Sequence, residues 1–417
     1  MSGAHALRAS HTNMSTSPNE FIPFHVPTIG EEEIAEVVAV LRSGWLTTGA
    51  RVQQFEADFA AYSGANHALA VNSCTAGLHL ALAGLHIGPG DEVITTPLTF
   101  CATVNTILHV GATPVLADVD EHGNIDPASV AARITPRTKA IVPVHLAGRV
   151  VDLEAIWDLA DRHGLHVVED AAHAAGSLHA GKPLGTAALP RASKAVAFSF
   201  YATKNITTGE GGMVTTNDPA LAARIKMLTL HGISKDAWAR YTEKGNWFYQ
   251  VMEPGFKYNL TDIAAAVGIH QLKRIDKFAR DRRELAAYYS KAFAGVDELE
   301  TPSLAGTESN SWHLYMLRLR LDQLSIDRAE FMNRLREKGI GASVHFIPIP
   351  LHPFFAPWAD LPQNHCPRAL AMYPRLVSLP LYTALGDSGA RRVVEAVKDV
   401  CRETSKNPVF ASAAMEN

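Results

Sequence analysis

The 417 residues carry a net charge of −4, with 47% hydrophobic and 19% charged side chains, which suits a soluble globular chain with a large buried core and a second, smaller one. That balance offers no basic face to nucleic acid, and no apolar run approaches the roughly 18 residues of a membrane helix. Cys74, Cys101, Cys366 and Cys401 lack CxxC or paired spacing and read as reduced thiols of a cytoplasmic protein.

Residues 1–20 are rich in Ser, His and Asn, without an apolar stretch or a small-residue cleavage site, and read as a disordered lead-in. From Glu31 to Arg42 the spacing of Ile34, Val37, Val38 and Leu41 predicts an amphipathic helix ending at Gly44. A loop, Gly44-Trp45-Leu46-Thr47-Thr48-Gly49, leads to a second helix from Val52 to Tyr62. Strands are then expected at Ala68–Asn72, Glu92–Thr96, Thr113–Asp118, Ala140–His145, Leu165–Glu169 and Ala195–Phe200. Helices at Thr75–Leu85, Ala102–Val110, Pro127–Arg133 and Leu153–His163 separate most of them. Strands apolar throughout and separated by helices predict a parallel sheet covered on both faces.

The glycine-rich return through Gly209, Gly211 and Gly212 leads to a helix at Pro219–Leu230. An aromatic-rich stretch without periodicity follows from His231 to Tyr258, with Trp238, Tyr241, Trp247, Phe248 and Tyr249. So long an irregular run points to an interface or a functional loop. Helices are expected from Thr261 to Lys277 and from Arg280 to Phe293. The remainder reads as a smaller α/β unit, with strands at His313–Leu319 and Gly341–Phe346 and helices at Arg328–Lys338 and Ser388–Glu403. The division is therefore 21–278 for a large domain, 279–405 for a small one and 406–417 for a tail.

In parallel sheets ligands bind beyond the carboxyl ends of the strands, which singles out four stretches. After the first strand, Asn72-Ser73-Cys74-Thr75-Ala76-Gly77 opens a helix with free N–H groups and a hydroxyl, an anion site or an ordinary N-cap. Phe100, after the second, is either a stacking aromatic or core. Asp170 ends an apolar strand, where a carboxylate wants a cationic partner or caps the next turn, and His173 follows three residues on. Lys204 stands between an apolar strand and small residues, where partial burial favours a free amine, the alternative being a loop lysine paired with Glu210. No GxGxxG, GxxxxGK[ST] or HExxH is present. An anion cradle, an aromatic, a carboxylate and a reactive amine are the parts that hold pyridoxal phosphate.

On five stretches the chain resembles the DegT–StrS family of nucleotide-sugar aminotransferases, from about Phe21 to about Cys401. They are Ser-Gly-Trp-Leu-Thr-Thr-Gly (43–49), Ser-Cys-Thr-Ala-Gly-Leu-His (73–79), Glu-Asp-Ala-Ala-His-Ala (169–174), Thr-Lys-Asn-Ile-Thr-Thr-Gly-Glu-Gly-Gly (203–212) and Gly-Phe-Lys-Tyr-Asn-Leu-Thr-Asp (255–262). The resemblance implies fold type I, the aspartate-aminotransferase fold, with a mostly parallel central sheet and a smaller C-terminal α/β domain. It is nearest in pattern to the branch that aminates UDP-4-keto-pentoses and 4-keto-6-deoxyhexoses.

Carried onto these positions, it makes Lys204 the lysine bonded to pyridoxal 5'-phosphate and the proton shuttle, and Asp170 the partner of the pyridine nitrogen. His173 lies near the ring hydroxyl and Phe100 stacks on the ring. Thr75, the Ala76 backbone and the Ser199 hydroxyl hold the phosphate. Asn259 reaches the phosphate of the neighbouring subunit in a homodimer with shared sites. Trp45, Thr48 and His345 belong to the sugar-nucleotide pocket. Tyr201-Ala202 departs from the family's His-Pro. The implied reaction is ping-pong transfer from glutamate, through pyridoxamine phosphate, to a keto-sugar nucleotide. The alternatives are a cyclitol or other non-nucleotide ring ketone, or a sugar dehydratase, whose histidine in place of the lysine Lys204 does not match.

Overall fold

A computed structural model describes residues 20–185, 194–234, 249–306, 309–359, 361 and 364–406. The expected lead-in before residue 20, the tail beyond 406, and Trp238, Tyr241, Trp247 and Phe248 lie outside the described residues.

The chain begins with α1 (Glu31–Ser43) and α2 (Ala50–Ser63), then alternates β1 (His67–Val71), α3 (Cys74–Gly84), β2 (Glu92–Thr95), α4 (Cys101–His109) and β3 (Thr113–Leu116). It continues through α5 (Pro127–Ala131), β4 (Thr138–Val142), α6 (Leu153–His163) and β5 (His166–Ala171), then a two-stranded hairpin, β6 (Leu178–His179) with β7 (Lys182–Pro183). β8 (Lys194–Ser199), β9 (Gly212–Thr216) and α7 (Pro219–Thr229) complete the sheet region. Local sequence punctuates these helices well. Asp152 and Asp218 accept from backbone N–H groups at the starts of α6 and α7, and Gly64 and Gly164 end α2 and α6 in the left-handed conformation.

The seven-stranded sheet has the order β1-β9-β8-β5-β4-β2-β3. β9 runs antiparallel to both neighbours, and the remaining pairs are parallel. The reversed strand lies where the sequence shows only a glycine-rich return. Gly212 explains the tight fit, because a Cβ there would stand 2.7 Å from Cys74 N. Apolar side chains cover both faces, Phe55, Phe59, Phe198 and Phe200 on one and Leu78, Leu80, Val214 and Ile225 on the other.

Asp262 opens α8 (Asp262–Lys273) and also organises α2. Its buried carboxylate accepts from the N–H groups of Gly49 (2.8 Å), Val52 (3.0 Å) and Arg51 (3.2 Å), satisfying donors that the start of α2 would otherwise orphan. Asp262→Ala is expected to lower unfolding stability by about 3 kcal/mol, read from denaturant melts. A change within a few tenths would show that water replaces the carboxylate.

The helix break falls at Arg274, earlier than expected, and α9 (Ile275–Phe293) runs unbroken from the sheet's core, through Phe278, into the smaller core, through Ala286. The early break follows from the pinning of Arg274 to Glu33 and the Thr28 carbonyl. Beyond it lie β10 (Leu299–Glu300), β11 (Tyr315–Leu319), α10 (Arg328–Glu337), α11 (Ala356–Ala359), α12 (Pro367–Met372), β12 (Leu376–Leu379) and α13 (Gly386–Thr404). The small sheet, β10-β11-β12, is antiparallel.

No strand forms over the expected Gly341–Phe346. Ile340 bridges to Ile22, Gly341 donates to the Ile22 carbonyl, and Ser343 makes a single antiparallel bridge to Ser378 of β12, so the stretch divides its bonds between two partners instead of forming a ladder. Ile22 itself is buried in the small unit's core rather than the large one's. Among the described residues no helix is long and apolar enough to cross a membrane.

Candidate active site

Because β1, β2, β5 and β8 point the same way, their carboxyl ends share one edge, and the residues after them line one cavity of about 450 Å³. Thr75, Phe100, Asp170, His173, Ser199, Lys204 and His345 are all in its wall.

Lys204 follows β8 through a turn in which its own N–H donates to the Tyr201 carbonyl (2.9 Å). Its side chain makes no ion pair with Glu210 among the described residues. Burial lowers its amine to about 8, opposed by the fields of Cys74 and Asp170. A lysine depressed in this way holds fewer protons than its unfolded counterpart, so the fold gains stability as pH rises from about 8 towards the ordinary lysine range. The free amine becomes available over the same rise. Uptake of an aldehyde by the amine is therefore expected to accelerate through pH 8, measured by stopped-flow absorbance. A profile flat from pH 6 to 9 would sink the assignment.

Asp170 ends β5 with 5% exposure. Oδ1 accepts from Ala172 N–H (3.0 Å) and Oδ2 from the Thr103 hydroxyl (2.8 Å), while the Cys74 thiol approaches Oδ1 at 3.9 Å. Burial raises its carboxyl above the usual range, and these bonds with the field of Lys204 pull it back. No cation is bonded to it among the described residues, so the cavity presents a carboxylate in want of a positive group.

Phe100 is 60% exposed at the cavity mouth, its ring 5.9 Å from that of Phe346, so it is not core. Of the expected phosphate contacts, Thr75 and Ser199 line the cavity. Ala76 is not in the wall, and its N–H donates to the N-cap Ser73 Oγ at 3.0 Å. Trp45, Thr48 and Asn259 are also absent from the wall. They form their own cluster, with Asn259 Nδ2 donating to Thr48 Oγ1 (2.7 Å), Thr48 Oγ1 donating to the Leu260 carbonyl and Trp45 Nε1 donating to the Thr48 carbonyl. Tyr201, the departure from His-Pro, lies in the wall and is partly exposed.

Sequence reading missed Thr103 and His313. Thr103 lies one helical turn past Thr99, to whose hydroxyl it bonds at 2.8 Å, a spacing that was available as a signal. His313 was masked by its expected place at the start of a strand that begins only at Tyr315.

A family model described as the DegT/DnrJ/EryC1/StrS aminotransferase family matches residues 27–398. The chain belongs to this family. It is 49% identical over 386 residues to the spore coat polysaccharide biosynthesis protein SpsC of Bacillus subtilis, covering 92% of this chain and 98% of that one. Among solved structures it is similar to the putative sugar aminotransferase Spr1654 from Streptococcus pneumoniae in its PMP form, with TM-score 0.83 and 34% identity over 92% and 99% of the two chains. It is also similar to Helicobacter pylori PseC, an aminotransferase involved in the biosynthesis of pseudoaminic acid, with TM-score 0.81 and 31% identity over 92% and 100%. The chain is thus a pyridoxal-phosphate-dependent aminotransferase of fold type I. The donor set fits that cofactor, since a buried carboxylate lacks a cation and a buried amine shares the same cavity.

Proposed function

We propose that this aminotransferase moves an amino group from glutamate to the ketone of a nucleotide sugar, at the 4-position, by a ping-pong mechanism in a cytoplasmic homodimer. The observation that carries this reading is the convergence of Lys204 and Asp170 on one cavity, in a chain whose relatives' names concern sugars and polysaccharide. When bound, the cofactor supplies an aldehyde for the amine and a protonated ring that draws electrons from the reacting carbon.

Lys204 would hold the cofactor through that aldehyde, and its amine, brought near neutrality, is suited to carry a proton to and from the reacting carbon. Asp170, oriented by Thr103 and the Ala172 N–H, would keep the ring nitrogen protonated. Thr75 and Ser199, beside the positive end of α3, would hold the phosphate, Phe100 would stack on the ring, and His173 would lie near its hydroxyl, all four lining the cavity. His345, anchored by its Nδ1 bond to Ser378 Oγ (2.9 Å), lines the sugar side. Trp45, Thr48 and Asn259 form a group that completes the neighbouring subunit's site.

The test is a panel of nucleotide-linked and free ketosugars with glutamate as donor, following release of 2-oxoglutarate. Turnover only with a cyclitol or another non-nucleotide ketone would overturn the nucleotide-sugar reading.

A further inference from the structure

Asn205 follows Lys204, and its side chain is oriented by three bonds. The amide nitrogen donates to the carbonyls of Ala175 and Ser311, each at 3.1 Å. Its oxygen therefore accepts, and the group it faces at 3.1 Å is His313 Nδ1. The ring hydrogen of His313 must sit on Nδ1, leaving Nε2 a bare acceptor while the ring is neutral. Burial keeps it neutral, pushing the imidazole well below its usual range, assisted by the fields of His173, Lys204, Arg282 and His345. It is too weak a base to carry protons at neutral pH.

The neighbouring imidazole is set the opposite way. Ala147 N–H donates to His173 Nδ1 at 3.3 Å, so His173 Nε2 carries the hydrogen. Ala147 holds φ 59°, a conformation costly for alanine, in the segment that makes this bond. The two rings lie 4.4 Å apart and both line the cavity. One presents a donor and the other an acceptor. No protein group among the described residues bonds His313 Nε2.

We propose that His313 is a specificity-determining contact for the acceptor substrate, its Nε2, fixed as an acceptor by Asn205, taking a hydrogen bond from a hydroxyl of the sugar beside the ketone. This rests on the ketosugar reading above. A sugar surrounds its ketone with O–H donors, whereas the carboxylates of glutamate only accept and would meet a bare lone pair unfavourably. The contact thus favours one of the two substrates that alternate in the same cavity.

His313→Phe keeps a ring and removes the acceptor. With the two half-reactions of the holoenzyme followed separately, the sugar half is expected to fall about 10- to 100-fold in kcat/KM and the glutamate half to stay within about threefold. A substrate analogue lacking the hydroxyl should lose a similar factor with the parent enzyme and almost none with His313→Phe. An unchanged sugar half, an equal loss in both halves, or additive losses with the analogue would overturn the assignment. Should that variant not fold, Asn205→Asp serves instead. A carboxylate in place of the amide raises the His313 imidazole, so the sugar half should acquire a loss at acidic pH that the parent lacks. A profile unchanged in shape would overturn the relay. A parent enzyme that aminates no ketosugar would overturn the functional reading itself, whereas one indifferent only to changes at His313 leaves that reading standing.

Discussion

Lys204→Ala is expected to abolish transamination, with turnover down roughly 10⁴-fold or more. Two functions leave with the one amine, the bond to the cofactor's aldehyde and the carriage of the proton. Among the described residues, none of the three imidazoles in the cavity wall replaces it, since His173 and His313 are both pushed well below the usual imidazole range and His345 down to about 4. The loss should appear without unfolding. Burial lowers the lysine to about 8, so at neutral pH the folded chain carries an ammonium at a cost that alanine removes. The variant should therefore melt no lower than the parent, and borohydride should no longer fix the cofactor to the chain. Lys204→Arg should be equally inactive, because a guanidinium does not give up its proton at these pH values. Turnover above a tenth of the parent's in either variant would end the assignment.

Asp170→Asn is expected to keep the shape of the site and lose its charge, lowering kcat roughly 10²- to 10³-fold. The amide oxygen keeps the bond from the Ala172 N–H, its NH2 can only donate to the Thr103 hydroxyl oxygen, and the neutral group cannot hold a proton on a ring nitrogen by charge. The stability effect has the opposite sign. Burial raises the carboxyl, so the folded chain binds more protons than the unfolded one, and stability falls as pH rises through that range. Without cofactor, the asparagine variant should melt higher than the parent at neutral pH. On adding cofactor the parent should gain more, because it alone neutralises a buried charge. Thermal melts with and without pyridoxal phosphate measure both, and equal gains in the two proteins would contradict the role given to Asp170.

Much of the site was legible because its chemistry depends on position along single strands. Lys204, Asp170 and Thr75 each follow an apolar strand, and parallel strands bring their carboxyl ends to one edge whatever their order. The helices were equally plain where Asp, Pro and Gly punctuate them, as in α6 and α7. What failed depended on partners far off in sequence. β9 looked like a glycine-rich turn because its reversed direction comes from pairing with β1 and β8. The stretch at 341–346 had strand character, yet its backbone bonds are split between Ile22, over 300 positions away, which takes the Gly341 N–H, and Ser378 of β12, which pairs with Ser343.

Periodicity and capping thus specified the strand–helix alternation and placed a lysine, an aspartate and a hydroxyl-rich helix start at its active edge. Only tertiary structure set Thr103 against Asp170, gave Asn205 to His313 and gathered Trp45, Thr48 and Asn259 apart from the cavity. The reason is physical. Backbone hydrogen bonding and local burial act within one turn or strand, whereas a side chain's bonding partner is chosen by whichever distant group packing brings within about 3 Å.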